Sequence, residues 1–237
     1  MLVWAKKNHI NDNYKKVFQE IQSISNYYGN FKIWEAPFMY FWLQRLSKKL
    51  NKKLKVLDFG CGISPFPTYL TSKGFKVFGI DNNNWTYKDN VLKNFAERHP
   101  KVSYWWGNIF DYNKEKFDVI ISMSVFEHII PFNIKKQGTV DKFRIEIMKK
   151  LQSLLVPEGS MLHIIDYYYP ENHHVSHDYR VNFFNIAEVM NFSFKSSQLC
   201  PGSSDFNFKL LSKLNILNIK PGRPQSRIAI GNDILKG

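Results

Sequence analysis

The apolar positions of this 237-residue chain change their period partway along it. From residue 12 to 52 they recur every three or four residues. In YKKVFQEIQSI, Tyr14, Val17, Phe18, Ile21 and Ile24 share one face, and APFMYFWLQRLSKKL carries bulky apolar side chains up to a basic last turn. That spacing predicts helices. Further on, short apolar runs alternate with amphipathic stretches. Strands are expected at 55–59, 76–80, 102–106, 118–122 and 160–165. Helices are expected around 68–73 (closing at Gly74), at 87–98 (stopped by Pro100) and at 140–155 (ending near Pro157 and Gly159).

Strands separated by helices of this length need crossover connections, which makes the fold an α/β one with a mostly parallel sheet and helices on both faces. Beyond residue 190 the pattern weakens, and FNFKLLSKLNILNIKPG and SRIAIGNDIL read as an antiparallel pair joined around Pro221-Gly222. There is no internal repeat or low-complexity linker. The expected division is an N-terminal helical cap, residues 1–52, and an α/β domain, residues 53–237.

Composition narrows the class. At 44% hydrophobic and 16% aromatic residues, the chain supports one full-sized core. No apolar run approaches the ~20 residues of a membrane span, and MLVWAKKNHIND lacks the apolar region and cleavage site of a signal peptide. Two cysteines, Cys61 and Cys200, make no disulfide framework. A reduced, cytoplasmic protein is the expectation. The net charge of +13 invites a polyanion partner, but 27 lysines stand against six arginines and the basic pairs are scattered. Phosphate and base readers lean on arginine's planar fork, so a solvated lysine-rich surface is expected and a nucleic-acid partner is not.

The chemistry begins at VLDFGCGISPFP, residues 56–67, where a strand ends in Asp58, Gly60 and Gly62. Ligands of open parallel sheets bind beyond the carboxyl ends of the strands. Asp81, 19 residues after Gly62, falls at the end of the next strand, where it can take the hydroxyls of a ribose. A phosphate-cradling G-x-x-x-x-G-K-[ST] loop is excluded because the lysine is missing. A dinucleotide G-x-G-x-x-G loop is disfavoured because Pro65 stands at the third glycine and Asp58 sets a negative charge beside a pyrophosphate. S-adenosylmethionine, with a sulfonium and an ammonium, suits the acids.

Four stretches in order resemble the class I S-adenosylmethionine-dependent methyltransferases, over about residues 54–169. VLDFGCG resembles the glycine-rich motif, and the resemblance implies that Asp58, Gly60, Cys61 and Gly62 line the methionine end of the cofactor. FGIDNN resembles the ribose-binding motif, implying Asp81 and Asn82. GNIFD implies Asn108 and Ile109 around the adenine. FDVIISMSVFEHI resembles the fourth-strand motif facing the methyl, implying Ser122 and Met123. The implied fold is Rossmann-like, with a mostly parallel seven-stranded sheet and an N-terminal helical extension. Taken singly, each position fits a turn or a cap just as well. The chain departs from the family at Ile63-Ser64-Pro65, where many members have a further glycine; Ser64 can cap the helix that follows.

The (N/D)-P-P-(Y/F) stretch of base N-methylation is replaced here by SMSVFEH. The EH pair resembles small-molecule O-methyltransferases of the ubiquinone-biosynthesis type, and implies His128 as general base with Glu127 beside it. Imidazole titrates near ~6.5 and can take a hydroxyl proton. Some relatives hold a divalent metal with E-x-x-E-H, but Ser124 replaces the first Glu. After the fifth strand, DYYYPENHHVSHDYR offers Asp166, His173, His174 and His177 as acceptor contacts or metal ligands. His173 and His177 would share a helix face. The expected activity is methyl transfer to a hydroxyl of a small polar acceptor, a sugar or nucleotide-linked sugar. An RNA methyltransferase and a non-catalytic cofactor-binding regulatory partner are the alternatives.

Overall fold

Asn11 opens the first helix: its side-chain oxygen accepts from the Tyr14 N–H at 3.1 Å, satisfying one of the donors a helix start leaves open. The computed structural model describes residues 2–4, 10–25, 32–82, 91–129, 137–167 and 226–231. Helix α1 (Asp12–Ile24) turns Val17, Phe18 and Ile21 inward, the stripe expected from the spacing. Helix α2 (Glu35–Leu50) ends at Asn51, whose left-handed φ of 47° lets its N–H bond back to Lys48 and Ser47 carbonyls. Strand β1 (Leu2–Trp4) precedes the two helices, and after them come β2 (Lys55–Phe59), α3 (Phe66–Ser72), β3 (Lys76–Asp81), α4 (Val91–Arg98), β4 (Ser103–Trp106), β5 (Phe117–Met123), α5 (Gln137–Ser153), β6 (Leu155–Tyr167) and β7 (Ser226–Gly231).

Strands β2 and β5 are the runs KVLDF and FDVIISM, apolar almost throughout because both of their faces are covered. The described strands lie in the order β1-β7-β6-β5-β2-β3-β4. From β6 to β4 all pairings are parallel, while β7 is antiparallel to β6 on one side and to β1 on the other. On one face, Phe18, Ile21, Met39, Leu43 and Leu46 of α1 and α2 and Leu70 of α3 pack with Val56, Val119 and Leu162. On the other face Ile147, Met148 and Leu151 of α5 pack with Leu57, Ile120 and Met161. Trp34, Phe38, Tyr40 and Trp42 are core residues. No helix among the described residues is long and apolar enough to cross a membrane.

Three details differ from the sequence reading. Leu2–Trp4, in a segment read as helical, is an edge strand that pairs with residues 228–230. Helix α5 stops at Ser153 rather than near Pro157: Leu155 already pairs with Phe117, and the chain bulges through Glu158 (φ 63°) before Ser160 rejoins Val119. Pro157 and Gly159 mark that bulge inside β6, not a helix end. The expected C-terminal pair is seen only in β7, whose partners are β6 and β1; its other half, 206–222, lies outside the described residues, as do residues 87–90 of the helix expected at 87–98.

Candidate functional site

The chain winds from β2 to β3 on one side and returns to place β5 on the other, so the carboxyl ends of β2 and β5 flank a switch point of the sheet. The loop 60–65 starts there. Gly60 has φ 72° and Gly62 φ 48°, both in the left-handed region that glycine enters without strain. The Ile80 carbonyl accepts the N–H of Gly60 at 2.7 Å and of Cys61 at 3.2 Å, which ties the loop to β3. A Cβ on Gly60 would lie 2.5 Å from Cγ2 of Val125, so glycine is what lets the loop meet the turn after β5. Pro65, not Ser64, holds the N-cap position of α3; the Ser64 Oγ accepts from the helix's first N–H, that of Phe66, at 3.1 Å.

Two carboxyls sit beneath this loop. Asp81 accepts from the Gly62 N–H at 2.9 Å through Oδ2. Asp58 is buried, and its Oδ2 has no hydrogen-bond partner among the described residues. Burial, then the nearby Asp81, pushes the Asp58 carboxyl up from 3.8 to about 8. Such a group is poorly satisfied alone and well satisfied by a cation. A diphosphate would add negative charge to it. The residues therefore fit a ligand that is cationic near Asp58 and carries a ribose toward Asp81. The Cys61 thiol, buried and pushed well up by burial and by both acids, packs against β3 near Gly79 and is inert. What Cys61 offers the loop is backbone.

The remaining expected residues fall around the same sheet edge or outside the described residues. Asn82 is exposed at the end of β3. Asn108 caps the short turn Ile109–Asp111, its side chain accepting from the Phe110 N–H at 3.1 Å, and Ile109 is buried beneath it. Met123 is half-buried at the end of β5. Ser122 points into the core instead, 2.8 Å from Nδ1 of His163, so its side chain serves the β5–β6 pairing and not the loop surface. The turn Phe126–His128 presents a half-buried His128, whose N–H bonds the Val125 carbonyl at 3.0 Å. Glu127 is placed by its backbone in the same turn. Asp166 pairs in register with Arg227 near the end of β6. His173, His174 and His177 lie outside the described residues, and among the described residues no three His, Cys, Asp or Glu side chains cluster as a metal site would require.

Sequence reasoning missed a set of buried polar groups. Lys32 and Glu35, at the entry to α2, form an ion pair of 2.5 Å, and Lys32 donates to the Ser124 hydroxyl. Ser124 itself has φ 53°, a backbone that costs a serine about 1–2 kcal/mol. His163 packs edge-on to Phe126 with ring centroids 4.8 Å apart, and burial lowers it from 6.5 to about 3, so it is neutral. Arg144 is buried on α5. Only Arg144 left a signal, a charge on the apolar face shared by Ile147, Met148 and Leu151. A concavity of about 580 Å³ lined by Lys48, Lys52, Lys53 and Lys73 lies at the opposite, amino-terminal edge of β2 and β3. Its lysines stand at the ends of α2 and α3, where they complement the negative helix termini.

Residues 35–212 match the family model described as a methyltransferase domain, more than half of the chain. The O-antigen chain terminator bifunctional methyltransferase/kinase WbdD of Escherichia coli is 35% identical over 91 residues, 36% of this chain and 13% of that protein. The ubiquinone biosynthesis O-methyltransferase of Pelagibacter ubique is 34% identical over 103 residues, 41% of this chain and 42% of that protein. The chain thus spans less than half the length of either relative. Among solved structures, a S-adenosylmethionine-dependent methyltransferase from Clostridium acetobutylicum is similar with a TM-score of 0.43 and 18% identity, covering 66% of this chain and 58% of that one.

Proposed function

This chain belongs to the class I S-adenosylmethionine-dependent methyltransferases, and from that premise we propose that it methylates a hydroxyl of a small polar acceptor, a sugar or nucleotide-linked sugar. The observation that carries the reading is the turn after β5: it rests on Gly60 of the glycine loop and presents His128 from the same short segment. S-adenosylmethionine supplies, when bound, a methyl group activated by a positively charged sulfur. Asp58, Gly60 and Gly62 would hold its methionine end, Asp81 its ribose, and Asn108 and Ile109 its adenine. His128 takes the proton of the acceptor hydroxyl as the oxygen attacks, and Glu127 orients the imidazole. Asp166 and the histidines His173, His174 and His177 contact the acceptor.

The O-methyl reading draws support from the relative named as a ubiquinone biosynthesis O-methyltransferase, and the carbohydrate reading from the one named as an O-antigen chain terminator. The test uses S-adenosylmethionine labelled in its methyl group, a polar metabolite extract, and His128→Ala beside the native protein. The reading expects an alkali-stable labelled ether and a loss of rate of about 10²–10⁴-fold in the variant. An undiminished rate in the variant removes His128 as base. Label that alkali releases as methanol would mean an ester, and a carboxyl acceptor in place of a hydroxyl.

A further inference from the structure

We infer that Lys32, Glu35 and Ser124 form a brace that sets the shape of the turn after β5, making Lys32 and Glu35 positioning residues of the methyl-transfer site. The inference rests on the methyltransferase reading of that site.

Lys32 and Glu35 are separated from Ser124 by 92 and 89 residues, so only the fold brings them together. The Lys32 ammonium is 2.5 Å from Glu35 Oε2 and also donates to Ser124 Oγ. The Ser124 hydroxyl in turn donates to Glu35 Oε2 at 3.4 Å. A hydroxyl has one proton to give and lone pairs to receive, so accepting from the ammonium and donating to the carboxylate closes a ring of three groups. The side chain of Glu35 is 0% exposed and that of Lys32 9%.

Burial at this depth makes the pair a weak stability device, because desolvating both charges offsets their attraction and an apolar pair of similar volume often serves as well. What the charges add is a fixed point for one hydroxyl. That hydroxyl belongs to the residue where three parts of the site meet. The Ser124 N–H is bonded to the Ile164 carbonyl of β6 at 2.8 Å. Its side chain is held at the entry to α2, and the next residue, Val125, leans on Gly60. The φ of 53° is one that serine rarely adopts, and the ring opposes its return to the ordinary regions. A shift of Ser124 would carry with it the turn Phe126–His128, whose last N–H is bonded to the Val125 carbonyl. The brace therefore acts on alignment of the acceptor side with the cofactor loop.

The test compares the native protein with Ser124→Gly and with the double replacement Lys32→Met, Glu35→Leu. Glycine keeps the left-handed backbone and removes the hydroxymethyl side chain that the ring holds; the double replacement removes both charges without stranding either. Melting temperature, calorimetric affinity for S-adenosylhomocysteine, and kcat and KM for labelled methyl transfer to the polar extract are measured on each. The brace predicts folded variants that bind S-adenosylhomocysteine within about threefold of the native protein while kcat falls about 10- to 100-fold, as misalignment does. Native kcat in both variants overturns it and leaves the ion pair as packing. A weakened affinity with unchanged kcat also overturns it, since the turn would then serve cofactor binding alone. If the native protein itself fails to bind S-adenosylhomocysteine, the methyltransferase reading falls and the brace with it.

Discussion

Replacing Asp58 by Asn separates the two things that its buried carboxyl does. Burial and Asp81 raise it from 3.8 to about 8. At ~1.36 kcal/mol per unit, the site disfavours the carboxylate by on the order of 5 kcal/mol. In the unfolded chain the group releases its proton near 3.8, in the folded protein near 8. Between those values the native state holds more protons than the unfolded one, so stability declines as pH rises through the window and levels off above about 8. Asparagine has no proton to lose. The variant should therefore gain on the native protein as pH rises from about 4 to about 8, by up to several kcal/mol. Cofactor binding runs the other way. A cation beside Asp58 favours the carboxylate, so binding of S-adenosylmethionine to the native protein should expel a proton below pH 8 and tighten with pH; the variant should bind weakly, with no such dependence. Urea melts across the pH range give the first result, and calorimetry in two buffers of different ionisation enthalpy gives the second. Parallel stability curves, together with no proton release, would refute this account of the loop.

Other consequences are as direct. Gly60→Ala places a Cβ 2.5 Å from Val125 at a φ of 72° and should cost about 2–4 kcal/mol in urea melts. Adding Val125→Ala should return only the steric part, and full recovery would mean that the backbone carries no strain. Ser122→Ala leaves the buried His163 Nδ1 without its partner and should cost about 1–3 kcal/mol. His163 is lowered to about 3, so below 6.5 the unfolded chain takes up a proton that the native state refuses. Stability from this residue is present above 6.5 and is lost as pH falls toward 3, and His163→Phe should remove that part of the acid slope. An unchanged slope would place the acid sensitivity elsewhere.

How much of this was legible depended on whether the cause was local. Strand β2 and the helical stripe of α1 were readable because an apolar run and a three-to-four-residue period are properties of adjacent residues. Asp58 and Asp81 were readable because each ends a strand and the two strands are parallel neighbours. Strand β1 was not: three residues beside a polar stretch have no periodicity, and they become a strand only through β7, more than two hundred residues later. The bulge in β6 was misread because Pro157 and Gly159 usually punctuate elements, whereas here Ser160 resumes pairing with Val119. The motif pointed to Ser122 for the cofactor but said nothing of His163, because the 2.8 Å contact of their side chains comes from the pairing of β5 with β6. Lys32 and Glu35 left no signal in the sequence, because their burial is set by contact with Ser124 on another element.

The most direct measurement of the central claim follows a labelled methyl group from S-adenosylmethionine through a cell extract incubated with the protein, with and without ribonuclease. The account predicts label in small polar material, unaffected by ribonuclease and carried as an ether. Label in ribonuclease-sensitive polymer would contradict it, and would make the +13 charge a working surface for RNA. Tight S-adenosylmethionine binding with no label transferred to anything would contradict it equally, and would leave the chain as a cofactor-binding partner of some other enzyme.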